Sequence, residues 1–213
     1  DVASRSNIGF LLANRSHEGR NRGAVEIDAN LFFTQLFGFT GQFVKSYGAF
    51  GRGSVAFFAR PSYDSSTAHA HIRYTHLGDR FADNVNAVGF IRDDDRRELD
   101  GAVAKTVFVR DGAVERVAYN SNYNVYWGQT RTLRSWQVDE SLAVDWRNRW
   151  STTVNHTEEF KLFEKDFRNR QTGVEIGYNT RSYESISGGY TFGRNFEADF
   201  KLWAGPFIYT LTE

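Results

Sequence analysis

Cysteine is absent from this 213-residue chain, and proline occurs only twice. Without cysteine, the chain forms neither a disulfide framework nor a cysteine-based metal site or nucleophile. A low proline content suits paired strands, because each proline removes a hydrogen-bond donor from the ladder. Stability must therefore come from strand pairing and from burial of side chains.

Net charge is missing as well, because 26 basic and 26 acidic residues cancel. This balance removes the bulk electrostatic case for a nucleic-acid partner, so none is predicted. No segment approaches the roughly 18 to 20 consecutive apolar residues of a membrane helix. The chain shows no signal peptide, contains no methionine and starts at Asp1, so we expect it to be a piece of a longer polypeptide.

Aromatic residues and glycine, by contrast, are abundant. Aromatics make up 16% of the chain, with 19 Phe and 10 Tyr, and there are 19 Gly. Aromatic side chains fit the pleated surface of a sheet, and no helical period persists along the sequence. The composition therefore predicts an all-β protein, and the lack of a linker rich in Pro or Ser predicts one domain over residues 1–213.

The clearest strand lies at residues 67–77. Its side chains alternate with a period of two, which is the signature of a strand with unlike faces. Ala70, Ile72 and Tyr74 share one parity, and His69, His71 and Arg73 share the other. A soluble sandwich strand and an outer-membrane strand both alternate in this way, so this segment alone leaves both open.

About twelve strands are predicted, joined mostly by short turns. Their approximate ranges are 4–14, 24–36, 40–50, 53–63, 67–77, 101–110, 113–127, 131–147, 149–162, 170–183, 186–202 and 206–213. The strand at 24–36 is longer than the about 5–6 residues typical of soluble proteins and fits the roughly 9–11 residues of a tilted membrane strand. Residues 17–23 are predicted to be a polar turn region and residues 78–98 one long loop. Glu140, a charge on an apolar parity, predicts a bulge, a turn or a strand end.

Several short motifs carry a family resemblance. The run YTHLGDRF at 74–81 is followed by GFIR at 89–92 and DRR at 95–97, and the run EEFKLFEKDF at 158–167 and the glycine-aromatic run at 173–200 resemble closing hairpins. In order and spacing they resemble a family of large Gram-negative envelope proteins. In that family a sandwich resembling a carbohydrate-binding module precedes a C-terminal outer-membrane-type β-barrel of unassigned function.

This resemblance implies an antiparallel transmembrane β-barrel, and two departures qualify it. The family's N-terminal sandwich is missing, and the chain ends at Glu213 rather than on an aromatic residue. We therefore expect a section of a larger barrel, whose remaining strands come from the parent polypeptide or from a partner chain. The implied location is the bacterial outer membrane, with outer-membrane lipid as a partner.

Alternation assigns the faces of this barrel. Candidate lumen-facing residues are His69, His71, Arg73, Glu175 and Asn179. Candidate lipid-facing residues are Ile72, Tyr74, Val174, Ile176 and Tyr178. The tryptophans predicted near strand ends and turns, where aromatic girdles meet the bilayer interface, are Trp127, Trp136, Trp146 and Trp150. A sugar-binding platform is the second interpretation of the aromatic excess.

No constellation of residues predicts catalysis or a cofactor. Histidines at i and i+2, such as His69 and His71, can share a metal, but no carboxylate in that strand completes the set. The run at 92–98 lacks the acidic spacing and central glycine of a calcium loop. Glu158 and Glu159 are adjacent and so point to opposite faces of a strand. We expect no metal, no cofactor and no enzymatic activity.

The predicted function is therefore that of a pore or transport conduit, or of a membrane anchor for a surface glycan-binding module. Glycans or small solutes are the expected partners besides lipid. A soluble carbohydrate-binding or carbohydrate-active β-sandwich domain is the alternative. Dependence on detergent separates the two classes.

Overall fold

The computed structural model describes residues 5–91, 93–162, 165–179, 184–195, 198–204 and 210–211. Its elements are strands apart from one short helix, α1 (Phe81–Val85). The strands are β1 (Asn7–His17), β2 (Arg20–Phe32), β3 (Phe37–Tyr47), β4 (Val55–Asp64), β5 (Ala68–Leu77), β6 (Arg96–Phe108), β7 (Val114–Trp127), β8 (Leu133–Trp146), β9 (Trp150–Leu162), β10 (Asp166–Asn179), β11 (Glu184–Asn195), β12 (Ala198–Ala204) and β13 (Thr210–Leu211).

The strands form one sheet in which each pairs with its neighbour in sequence. The order runs from β1 to β12, and the short β13 pairs antiparallel with β11. The pairing is antiparallel at β1–β2, β2–β3 and β3–β4, and again from β8 through β12. This confirms the predicted all-β, antiparallel class. In the part of the chain that is described, no helix has the length and apolar content needed to cross a membrane.

The chain divides into two compact units. Unit 1 comprises residues 1–65, 70–101 and 124–134, and unit 2 comprises residues 66–69, 102–123 and 135–213. Strands β5, β6, β7 and β8 contribute residues to both units. The sequence predicts a single domain, and this subdivision within one sheet is not visible in its pattern.

The first hairpin is tighter than predicted. Instead of a polar turn over residues 17–23, β1 continues to His17 and β2 begins at Arg20. Glu18 and Gly19 alone form the turn, with φ of 50° and 73°. Two consecutive residues with positive φ are typical of the two-residue turns whose twist matches that of the flanking strands. The polar side chains on either side are therefore strand residues.

Two further strand predictions need correction. Residues Ser135–Asp145 pair with Ser151–Lys161 in one unbroken register, so Glu140 lies within a regular strand opposite His156, without a bulge or an end. The segment 186–202 is two strands, because β11 pairs back onto β12. Most of the strand predicted at 206–213 lies outside the described residues, with Thr210–Leu211 paired to β11.

The predicted long loop at 78–98 is partly ordered secondary structure. It contains α1, and its last residues belong to β6, which begins at Arg96. The helix contacts β2 and β3 in unit 1. Phe81 is only 3% exposed and Asn84 is fully buried, so the segment is anchored rather than projecting into solvent.

Candidate functional site: the two faces of the sheet

In unit 1, most of the large apolar side chains on one face of the sheet are exposed. The strand register aligns Phe10, Ile27, Phe43 and Phe57 in one row across β1 to β4. Phe10 is 70% exposed and Ile27 is 51% exposed. We call this side, together with the flanking Ile8, Leu12, Val25 and Ile72, the apolar face of unit 1. Its exposure is the reverse of what a soluble core-facing strand shows.

The opposite face of unit 1 carries polar side chains that bond to each other. Gln42 Nε2 donates a hydrogen bond to Glu26 Oε1 at 2.6 Å, and Thr40 Oγ1 donates to Asn30 Oδ1 at 3.2 Å. All four residues are only partly exposed. These four side chains are therefore less accessible than those of Phe10 and Ile27 on the apolar face.

Unit 2 repeats this arrangement on its own strands. Leu142, Val154, Val174 and Tyr190 form a row across β8 to β11. Ile176, two residues along β10, is 50% exposed. On the other side Thr157 Oγ1 donates to Asp139 Oδ1 at 2.7 Å, and Asn169 Nδ2 donates to Glu159 Oε1 at 2.8 Å. These are the apolar and polar faces of unit 2.

The structure separates the predicted lumen-facing and lipid-facing residues onto opposite sides of their strands. On β5, Ile72 is 52% exposed and the Tyr74 ring lies 5.8 Å from that of Phe57, which places both on the apolar face. His71 Nε2 lies 3.1 Å from Asp100 Oδ1, and the Arg73 guanidinium lies 4.4 Å from the ring centroid of Phe58. His69 has the parity of His71.

On β10 the same separation holds. Val174 and Ile176 share the apolar face of unit 2 with Tyr178, whose ring centroid lies 5.2 Å from that of Trp150. Glu175 and Asn179 take the other parity, where Glu175 pairs with Thr153 of β9. That these faces meet lipid and lumen stays a prediction.

The predicted interface tryptophans occupy three strand termini and one strand interior. Trp127 ends β7, Trp146 ends β8 and Trp150 begins β9, whereas Trp136 lies inside β8, opposite Phe160. Trp146 Nε1 donates to Thr152 Oγ1 at 3.4 Å. The sequence interpretation did not place Tyr178 among the interface aromatics, because its contact with Trp150 depends on the β9–β10 register.

A polar cluster interrupts the apolar face of unit 2. Of its members, the sequence pattern singles out only Glu140. The Tyr119 hydroxyl donates to Glu140 Oε1 at 3.1 Å. Glu140 lies opposite His156, which in turn lies opposite Thr172. His156 Nδ1 and Thr172 Oγ1 are 2.8 Å apart. Two hydrogen-bonded pairs of polar side chains thus lie in neighbouring positions within an apolar surface.

The acidic run before β6 connects segments of unit 1 through hydrogen bonds and an ion pair. Asp95 Oδ2 accepts from Arg134 Nη2 at 2.7 Å, and its Oδ1 accepts from the Gln129 N–H at 2.8 Å. Asp94 Oδ2 accepts from the Ala82 N–H at 2.9 Å. Arg92, which belongs to the predicted run, lies outside the described residues. These carboxylates are engaged by the protein's own donors.

The segment containing α1 covers part of the polar face of unit 1. Buried Asn84 holds it in place, because its Nδ2 donates to the Phe50 carbonyl at 2.8 Å and its Oδ1 accepts from the Phe50 N–H at 3.1 Å. Between this segment and the strands lies a cavity of about 380 Å³. Its apolar lining includes Leu11, Val44, Phe58, Phe81 and Val85.

Glu158 and Glu159, the adjacent carboxylates of β9, lie on opposite sides of their strand. Within the described ranges, no three or more His, Asp and Glu side chains are grouped as metal ligands. Glu158 lies opposite Arg170 on the apolar side of unit 2, while Glu159 on the other side pairs with Lys161 Nζ at 2.7 Å. The two carboxylates therefore do not converge.

Comparison with protein-family models, with curated proteins and with solved structures finds no match to this chain. The resemblance to the envelope family thus depends on its short motifs alone.

Proposed function

We propose that this chain is a section of an outer-membrane-type β-barrel from the envelope of a Gram-negative bacterium, with its polar face lining a conduit for small solutes. The observation that carries the proposal is the pair of exposed apolar faces, one in each unit, backed by polar faces whose side chains bond to each other. Alternation of apolar and polar residues across such strands is the pattern of membrane barrels.

Strand length supports the same assignment. From β1 to β10 the strands contain 10 to 14 residues. A strand tilted by about 45° needs roughly 9–11 residues to cross the hydrocarbon, whereas soluble strands are most often about 5–6 residues long. Each strand is therefore long enough to cross a bilayer.

Energetics favour lipid over water at the apolar faces. Removing one large apolar side chain from water contributes roughly 1.5–3 kcal/mol. Rows such as Phe10, Ile27, Phe43 and Phe57 form a continuous patch, and extended apolar patches mark contact with a membrane or with another protein. Outer-membrane lipid would cover them without a second protein layer, whereas a soluble sandwich would need a second sheet packed against them.

The edges of the sheet require further strands in this proposal. Lipid satisfies no free N–H or C=O group, so a sheet in the bilayer must close. In the described pairing order β1 and β12 stand at the two ends. The parent polypeptide or a partner chain would supply the strands that complete the ring.

A membrane anchor for a surface glycan-binding module is the second candidate. It is favoured by the segment containing α1, which Asn84 fixes against the polar face of unit 1. Some barrels are plugged by an inward-folded loop or helix. Current recordings across planar bilayers separate the two, since a conduit conducts ions and a plugged anchor stays electrically silent.

Membrane partition and heat-modifiable migration test the proposal as a whole. The parent protein should be extracted only with detergent, run faster on a gel when unboiled than when boiled, and give a β-type circular dichroism spectrum. Recovery in the soluble fraction with identical migration before and after boiling would contradict it and favour the soluble carbohydrate-binding alternative.

A further inference from the structure

The tip of the first hairpin concentrates positive charge on one face. Arg15 lies directly opposite Arg22, and His17 lies directly opposite Arg20. Residues directly opposite each other in an antiparallel pair share a face of the sheet, and like charges in that relation are destabilising. Three arginines and a histidine thus stand together on the side that, farther along β2, carries Glu26.

The neighbouring acids do not neutralise these arginines. Glu18 lies 3.7 Å from His17 Nε2, with its side chain 82% exposed. Asp83 is engaged by Arg80 at 3.3 Å. Within the described part of the chain, Arg15, Arg20 and Arg22 have no ion pair and no side-chain hydrogen bond. Their five-donor guanidinium groups remain charged at any physiological pH.

The arginines line a concave site rather than a flat surface. The site measures about 580 Å³ and is bounded on its far side by Ala82, Asp83, Asn86 and Ala87 of the α1 segment. The small alanines leave this space open. On the strand side, a Cβ at Gly48 would come within 2.9 Å of Arg22 Cγ, so glycine at this position lets the backbone pack directly against the Arg22 stem.

Several guanidinium groups around one cavity fit an oxyanion that carries more than one negative charge. Arginine binds phosphate through two parallel N–H···O bonds, and rings of Arg or Lys side chains select anions in pores. We propose that this hairpin-tip site binds a phosphorylated solute. The inference rests on the proposed function, because it requires the polar face of unit 1 to be in water.

A phosphorylated lipid headgroup offers the same chemistry from a different source. The site lies on the polar face, however, and the adjoining apolar face carries Leu12 and Val25 on the other side of the same two strands. A headgroup attached to lipid along the apolar face would have to pass around the hairpin tip, beyond His17 and Arg20, to reach the arginines. The geometry therefore favours a free solute.

Tripolyphosphate titration into the full parent protein, folded in detergent and followed by calorimetry, tests the proposal. Arg15→Gln with Arg22→Gln should weaken binding by at least roughly tenfold, because two guanidinium groups that can each bind phosphate oxygens through paired hydrogen bonds are removed. Arg52→Gln with Arg110→Gln removes two exposed loop arginines and serves as the charge-matched control that should bind like the wild type. Adding vesicles that contain a phosphorylated lipid should not displace tripolyphosphate.

Each outcome decides a separate question. Equal weakening by both double variants, or no binding to the wild type, overturns the site while detergent dependence still upholds the barrel. Displacement of tripolyphosphate by the vesicles that contain a phosphorylated lipid would assign the site to a lipid headgroup and overturn the solute proposal. If the Arg15→Gln, Arg22→Gln variant does not give the heat-modifiable form, Arg20→Gln alone replaces it. Undiminished tripolyphosphate binding by Arg20→Gln would also overturn the site. Loss of detergent dependence in the wild type would instead defeat the proposed function.

Discussion

The apolar faces of the two units follow the same alternation but differ in how strictly they follow it. In unit 1 the row of Phe10, Ile27, Phe43 and Phe57 is apolar throughout, and Lys45, in the next row, donates to Ser54 Oγ and the Gly51 carbonyl beyond the end of β3. In unit 2 the apolar row through Leu142 and Val154 lies next to a polar row containing Glu140, His156 and Thr172. The alternation along a strand determines which face a side chain is on. Contacts with side chains of adjacent strands determine which polar groups are stable on an apolar face.

The polar row of unit 2 is tolerable because each of its members has a hydrogen-bond partner. Tyr119 donates to Glu140, and His156 lies within hydrogen-bond distance of Thr172. A polar group facing hydrocarbon is costly without such partners. In the proposed membrane setting, unit 1 should therefore reject a charge placed in the row of Phe10 and Ile27, whereas the polar row of unit 2 carries polar groups that depend on their neighbours.

The largest expected effect is at the uninterrupted row of unit 1. Ile27→Arg places a guanidinium on the apolar face near the middle of β2, where a charge facing the bilayer midplane costs roughly 2–4 kcal/mol. Asp28→Arg, one residue along on the polar face, is the matched control and should cost clearly less. Denaturant unfolding of the parent protein in lipid vesicles measures both changes. Equal losses would show that this face does not meet lipid.

Sequence predicted the faces of individual strands well but not their assembly. The period of two is local, so Ile72 and Arg73 separate onto opposite sides as the pattern indicates. The row that joins Phe10 to Phe57 depends on the register of three pairings, which hairpin turns and cross-strand contacts fix. The tight turn at Glu18-Gly19 was missed because polar strand residues on either side resemble turn composition.

The secondary structure of the long segment after β5 could not be predicted from the sequence, for a different reason. A helix of five residues spans little more than one turn, so α1 shows no helical period. Its position depends on Asn84, whose partners Ser46 and Phe50 are more than thirty residues away. The hairpin-tip arginines became a cluster only once β1–β2 pairing placed Arg15 opposite Arg22.

A smaller effect is expected at Ile176 in unit 2. Ile176 lies on the apolar face, but only two residues from Tyr178, which contacts Trp150. Aromatic pairs of this kind mark the edge of the hydrocarbon, where the cost of arginine falls to about 0–1 kcal/mol. Ile176→Arg should therefore destabilise less than Ile27→Arg and more than its own control, Glu175→Arg. Unfolding in vesicles compares the four variants, and a larger loss for Glu175→Arg would mean that the faces of β10 are reversed.

The smallest effect, and the one that bears most directly on the difference between the units, concerns the hydrogen bond from Tyr119 to Glu140. A double-mutant cycle with Tyr119→Phe and Glu140→Gln measures the coupling free energy of this pair in lipid vesicles. The matched control is the bond from Thr157 to Asp139 on the polar face, probed with Thr157→Val and Asp139→Asn. Water competes for hydrogen bonds on a wet face but not in hydrocarbon, so the Tyr119–Glu140 coupling should be the larger of the two. A coupling no larger than that of the control would mean that water reaches the polar row of unit 2, and the lipid-covered part of that face would then end at the row of Leu142 and Val154.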